Sequence, residues 1–544
     1  MDEGDITLGI RAHAEAHPEA VALNYPRGKR GEGWNTLTYT ELEHRIEAFS
    51  QGYRRLGFES GDRVLLMFAP SLQFYPAIFG LLRAGLVPVF IDPAMGIGKV
   101  LACVESIKPR ALIAPAALHT VSLFLRSTFK SVDIRIVAGR WSWLFGPTLT
   151  QLERATRGTQ LPECNLGLHD DASIVFTSGS TGPPKAVVMS RYCMAERIRA
   201  LEAMLKLAPE TQVVETLLVY TILWLSMGLT VSVPEIDVKS PSKADPEAVV
   251  DAILKFKPNF ASASLIVWQK LVRYAETHKT HFPSLKTLLT SSAPIPVSLH
   301  KRLRAFVNEE VELYTPYGAT EALPVTNIGT QEILGGTAEA TMRGEGICLG
   351  HAAPGMEIRI IALQSQELPT WDKVQLLEAG EIGEVVVCGG GVSTEYRNAP
   401  GANEKSKIHE GELLWHRMGD LGYLDSDNRL WFCGRTMHRL DTENGLVPAV
   451  PVEQIFLQHP AVFRAALVGV GRAGKERGVL CVELEGGQSW SEEVALDIIC
   501  LSQGTRWEGV VEEAVHYPNL PTDPRHNSKI IREEVKEWVS RRHV

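Results

Sequence analysis

Helical and extended periodicities alternate along this chain, and that alternation restricts its possible folds more than any other feature. In LTYTELEHRIEAFSQGYRRLG, Leu42, Ile46, Phe49, Tyr53 and Leu56 recur at steps of four and three, which predicts an amphipathic helix. RVLLMFAP follows as a short apolar run of strand type, and LQFYPAIFGLLRAGLVPVFIDP passes from a helix into another strand. The same order returns in NFASASLIVWQKLVRYAETH and LKTLLTSSAPIPVSLHKRLRAFV, where a strand meets a polar turn and then a helix. Repeated β-α-β order predicts an α/β fold with parallel pairing, whose ligands bind outside the carboxyl ends of the strands.

The texture changes after about Gly346. GEIGEVVVCGGGVSTEY and LGYLDSDNRLWFCGR read as strands and turns, the latter a hairpin around Asp425 to Asn428, so a β-rich, antiparallel subdomain is expected. Beyond Arg435 a small α+β unit remains. The expected organisation is a large N-terminal domain over 1–435, a polar hinge linker over 436–445 (TMHRLDTENG), and a C-terminal domain over 446–544. No internal repeat or low-complexity tract interrupts it.

A chain of 544 residues, 45% hydrophobic and 22% charged, has ample material for several subdomains. A formal charge of -9 without a long basic run argues against a sequence-blind grip on nucleic acid. The eight cysteines are dispersed, which fits reduced thiols in a cytoplasmic setting. The N-terminus MDEGDITLGI opens acidic and lacks the basic and apolar regions of a signal peptide. The apolar stretch LLVYTILWLSMGLTVSVP, Leu217 to Pro234, approaches membrane-spanning length, but its polar and aromatic residues favour a buried strand and helix.

The candidate site begins in IVFTSGSTGPPKAVVMS. Thr177, Ser178, Gly179, Ser180, Thr181 and Gly182 supply hydroxyls and backbone N–H groups that can turn inward around phosphate oxygens, and Lys185 adds a cation. Six such residues between apolar strands exceed the needs of a hairpin. A second phosphate-loop pattern, GVGRAGKE from Gly469 to Glu476, is a decoy: Glu476 stands where a metal-binding Ser or Thr is required, and RGVLCVELEGG reads as a strand rather than a helix. A hairpin turn is expected there. His416, His438 and His526 lack the spacing of a metal site.

The first loop resembles the phosphate loop of the adenylate-forming superfamily of acyl-CoA synthetases, nonribosomal peptide adenylation domains and luciferases. YTPYGATEALPV, HRMGDLGYLD, CGR and PRHNSKIIREEVKEW resemble the superfamily's later motifs in the same order. The resemblance implies ATP and Mg²⁺ as cofactors and a role for each matching residue. Glu321 would hold Mg²⁺, Thr320 would contact phosphate, and Tyr317, after which Gly318 follows, would stack on adenine. The turn from Ser291 through Ser292, Ala293 and Pro294 would cover the other adenine face. Asp420 would bind both ribose hydroxyls, Arg435 would help to fix the ribose, and Lys529, on a mobile closing domain, would reach the reacting carboxylate and α-phosphate.

Several positions depart from the general pattern. Met418 replaces the Thr of T-G-D, Ala186 follows the loop lysine where Gly is usual, and the terminal motif reads N-S-K. No His occurs between Tyr220 and Gly228, where many acyl-CoA synthetases carry one. The combination of DPAMGIGKVLACVESIKP, GEGICLGHAAPG, WHRMGDLGYLD and DPRHNSKI is similar to the β-lactone synthetases of long-chain olefin biosynthesis. That resemblance implies adenylation of a 2-alkyl-3-hydroxyalkanoic acid and attack by its own 3-hydroxyl, with His416 and His526 adjoining the motifs as candidate bases. It also implies assembly with an α/β-hydrolase-fold enzyme and a reductase. An acyl-CoA synthetase or fatty acyl-AMP ligase acting on a fatty acid is the alternative, and a nucleotide-binding scaffold without catalysis is a third.

Overall fold

The computed structural model describes residues 4–28, 32–139, 144–154, 164–177, 183–208, 210–236, 243–291, 295–364, 366–523 and 529–542. Two seven-stranded sheets form the scaffold of the α/β part. In one, Arg63–Leu66 pairs in parallel with Val87–Phe90 and with Ala111–Ala114, as the β-α-β order requires. This sheet ends in antiparallel strands: Asp171–Thr177 pairs with Lys185–Ser190, which pairs with Glu395–Arg397. In the other, Gln212–Glu215, Phe260–Ser264, Thr287–Ser291 and Glu312–Tyr314 lie parallel in sequence order.

The amphipathic helix spans Tyr39–Arg55. Thr38 accepts from the Glu41 N–H while the Glu41 carboxylate accepts from the Thr38 N–H, a reciprocal cap that fixes its first turn. Leu42, Ile46, Phe49 and Tyr53 are fully buried on one face and Leu56 is half-buried, so the expected stripe is the core face. Its partner helix, Phe74–Arg83, comes close because residue 80 has no side chain; a Cβ there would sit 2.5 Å from Phe49 Cβ. The apolar stretch after Leu217 forms a helix over Leu218–Ser226 and a strand over Thr230–Ser232, with Trp224 and Leu225 buried in the main core. Among the described residues no helix is long and apolar enough to cross a membrane. All eight cysteines are free thiols.

The β-rich part is an antiparallel sheet whose long strand, Leu413–Leu424, turns at Asp425 to Asn428 and returns as Leu430–Arg435. The segment 436–445 holds a 3-10 turn over Thr436–His438 and the strand Leu440–Thr442, which pairs with Gly445–Val447. Leu440 is fully buried against the last module. In that module Val462–Val470 and Arg477–Leu484 form an antiparallel hairpin, and Gly469 to Glu476 spans its turn with no helix following. Glu476 there accepts from the Asp441 N–H and pairs with Lys536, so it ties the hairpin turn to the strand Leu440–Thr442 and the helix Arg532–Arg542. The Trp507 indole donates to the Gly344 carbonyl at 2.6 Å, and Gln458 donates to the Met342 carbonyl at 2.7 Å; both bonds join the module to the end of the helix Ala338–Met342 and the turn after it.

Candidate active site

Thr177 and Lys185 are cross-strand partners at the ends of Asp171–Thr177 and Lys185–Ser190, so both flank the loop between them. Ser178, Gly179, Ser180, Thr181 and Gly182 lie outside the described residues, as do Ser292, Ala293 and Pro294. Ala186 is buried in the sheet core between Phe176 and Arg397, where its small side chain packs. The Lys185 ammonium lies over the ring of Tyr396, 4.8 Å from its centre, because Tyr396 enters on the adjoining edge strand.

The acidic motif is a tight hairpin of Tyr317–Ala319 with Ala322–Asn327. Gly318 is required there, since a Cβ would fall 2.5 Å from the Ala322 carbonyl oxygen. Thr320 and Glu321 form the tip. Arg197, buried on the helix Arg191–Leu205, donates to the Thr320 carbonyl at 2.8 Å and to the Gly391 carbonyl at 3.0 Å. Glu321 is held from another side: the Tyr396 hydroxyl donates to its Oε1 at 2.8 Å.

Asp420 gathers residues from several motifs. The Tyr317 hydroxyl donates to its Oδ2, and Arg435 Nε lies 3.2 Å from Oδ1 as an ion pair without hydrogen-bond alignment. Burial raises the Asp420 carboxyl above its ordinary pKa, and Arg435, Tyr317 and the Lys529 ammonium counteract that rise. Lys529 itself is exposed, with its backbone fixed by hydrogen bonds in both directions with Asp523. Gly419 supplies a positive φ of 67° just before Asp420. Met418 packs in the apolar cluster with Ala322, Val387 and Leu430, and its carbonyl accepts from Arg435 at 3.2 Å. The side chain that departs from T-G-D is thus a core residue, while its backbone orients the arginine.

Three further buried polar residues stand out: Lys407 and Glu215, which belong to no motif, and His416, which opens HRMGDLGYLD. Lys407 is 5% exposed, and its ammonium donates to the Ser393 carbonyl. Burial pulls its pKa down to about 7, with Glu321 opposing. Opposite it in the sheet, His416 is 3% exposed and its Nδ1 has no partner; burial and the cations of Lys407 and Lys185 hold the ring far below the ordinary imidazole range, hence neutral. Glu215, at the carboxyl end of its strand, is fully buried, accepting from the Leu217 N–H at 2.6 Å and the Trp224 indole at 2.5 Å. Burial pushes its carboxyl up to about 8. His526 lies outside the described residues, and His438 lies 3.3 Å from Glu533.

Among the described residues no three His, Cys, Asp or Glu side chains gather into an all-protein metal cage. A lone carboxylate, joined through Tyr396 to Lys185, is nevertheless the kind of protein ligand a nucleotide-borne Mg²⁺ takes, since that ion uses one or two carboxylates and keeps phosphate and water ligands. Glu321 fits that requirement.

The chain belongs to the AMP-binding enzyme family, whose model matches residues 10–397, and is therefore an adenylate-forming ligase. Among curated relatives it is 34% identical to an olefin beta-lactone synthetase of Xanthomonas campestris, over 99% of this chain and 98% of that protein. It is also 34% identical to an olefin beta-lactone synthetase of Stenotrophomonas maltophilia, over 97% and 96%. The fold matches the crystal structure of ATP-bound MatB from Rhodopseudomonas palustris with a TM-score of 0.77 at 17% identity, covering 100% of both chains.

Proposed function

We propose that the protein activates a 2-alkyl-3-hydroxyalkanoic acid with ATP and closes it to a β-lactone. The carboxylate attacks the α-phosphorus, the bond to the β-phosphate oxygen breaks, and pyrophosphate leaves an acyl-AMP. The acid's 3-hydroxyl then attacks the activated carbonyl, its proton is lost, and AMP departs as the four-membered ring closes. Because the nucleophile is tethered, proximity replaces a second substrate.

The observation that carries the reading is the meeting of Tyr317 and Arg435 on Asp420, which joins three separated motifs at one carboxylate. The two full-length relatives support the cyclising outcome. In this reading Asp420 and Arg435 hold the ribose and Tyr317 the adenine. Thr177, Lys185 and Thr320 face the phosphates, Glu321 holds Mg²⁺, and Lys529 stabilises the charge that develops between carboxylate and α-phosphate. Bound Mg²⁺ supplies neutralisation of phosphate charge.

The test is incubation with Mg²⁺, ATP and a 2-alkyl-3-hydroxy acid, with and without CoA, with product identification by NMR and mass. A CoA-independent β-lactone supports the reading. A CoA thioester assigns the chain to the acyl-CoA ligases, and AMP release with neither product calls for another acceptor. Assembly with pathway enzymes is part of the same proposal; recovery of the lone chain on mild co-purification counts against it.

A further inference from the structure

Behind Glu321 lies a buried polar assembly that no motif explains. Tyr396, 4% exposed, donates its hydroxyl to Glu321 Oε1 at 2.8 Å. Its backbone is clamped in turn: the Tyr396 N–H donates to Asn403 Oδ1 at 2.7 Å, and Asn403 Nδ2 donates to the Tyr396 carbonyl at 3.0 Å. A second line reaches Glu321 through its main chain. The Ser393 N–H donates to the Glu321 carbonyl at 2.7 Å, and the Ser393 carbonyl accepts from the Lys407 ammonium. Ser393 is fully buried.

A buried ammonium is costly to desolvate, and an apolar side chain of similar volume would pack there more cheaply. A polar side chain kept in such a place, with its nitrogen bonded to Ser393, points to a task beyond filling space. The two lines restrain Glu321 at both carboxylate and backbone, the arrangement found behind metal-binding carboxylates, whose own hydrogen-bond partners set their orientation.

We infer that Tyr396 and Lys407 are positioning residues for Glu321: Tyr396 acts on the carboxylate and Lys407 on the backbone through Ser393. Together they hold the acid where a divalent cation on the nucleotide requires it. The inference rests on the reading of Glu321 as the metal-binding residue.

Mn²⁺ binding, followed by electron paramagnetic resonance on the full chain with α,β-methylene-ATP and no acid, tests it. Tyr396→Phe keeps the ring under Lys185 and removes one hydroxyl. It is expected to weaken Mn²⁺ binding in the protein–nucleotide complex about 10-fold, as loss of a metal ligand's hydrogen-bond partner does. The half-saturating Mg²⁺ for pyrophosphate release should rise by the same factor, with kcat recovering at saturating Mg²⁺. Lys407→Met should shift both quantities in the same direction. Should Tyr396→Phe fail to fold, Lys407→Gln carries the measurement. A purely structural role would change the melting temperature and leave Mn²⁺ affinity as in the wild type, and that result overturns the inference. A wild-type protein that adds nothing to the Mn²⁺ affinity of the free nucleotide removes the reading of Glu321 itself, and the positioning roles with it.

Discussion

The Tyr317 hydroxyl donates to Asp420 Oδ2, tying the acidic hairpin to the long strand of the β-rich sheet across 103 residues of sequence. Tyr317→Phe keeps the ring and removes the bond. A hydrogen bond to a charged group is worth about 1.5–3 kcal/mol, so AMP affinity measured by calorimetry should fall about 10-fold or more. Unchanged affinity would mean that the phenol does not orient the carboxylate.

Lys529 bears on the same carboxylate from the last module. Lys529→Ala should lower acid-dependent pyrophosphate release by about 10²–10³-fold, the cost of losing one preorganised group at developing charge. Nucleotide affinity should change little. Full adenylation by the variant would sink the assigned role.

Glu215 gives the protein a pH-dependent stability of definite sign. Its carboxyl lies near 4.5 when unfolded and about 8 when folded. Between those values the folded chain retains a proton that the unfolded chain releases. The stabilisation is therefore complete below about 4.5 and is lost as pH rises through about 8. Glu215→Gln should flatten denaturant midpoints across that window and melt higher than the wild type at its upper end. Parallel pH profiles for the two proteins would place the ionisation elsewhere.

Arg197 bridges the carbonyls of Thr320 and Gly391 from the helix that follows the strand Lys185–Ser190. Removing it orphans both acceptors at about 1–3 kcal/mol each. Arg197→Ala should therefore lower the urea midpoint, and in the fraction still folded it should lower kcat, because the tip bearing Glu321 loses its anchor. Wild-type kcat in the folded fraction would confine Arg197 to a structural role.

Much of this could be read from the linear chain where local rules dominate. The periodicity from Leu42 to Tyr53 marked its helix because burial selects one face, and the alternation around Val64 and Val89 required parallel strands. The turn from Gly469 to Glu476 was legible because a strand pattern follows it. Tyr396, Lys407, Arg197 and Glu215 were not. Each acts through partners distant in sequence or through burial, and none is a residue type that a motif would single out in STEYRNAP or VVETLLVY. The faint signal for Lys407 was a lysine beginning the strand Lys407–Glu410, where a charge has no local reason to be buried. Within the segment 436–445, the burial of Leu440 against the last module was not legible, because its partners lie farther along the chain.

The strand Glu395–Arg397 that delivers Tyr396 closes one edge of a sheet whose other strands all precede residue 191. During synthesis the Lys185–Ser190 strand must therefore wait for about 200 residues before its outer hydrogen bonds are met. Until then it is an open β edge, able to pair with another chain. Lys185 sits on that edge, so completion of the candidate site and protection from aggregation depend on the arrival of the same short segment.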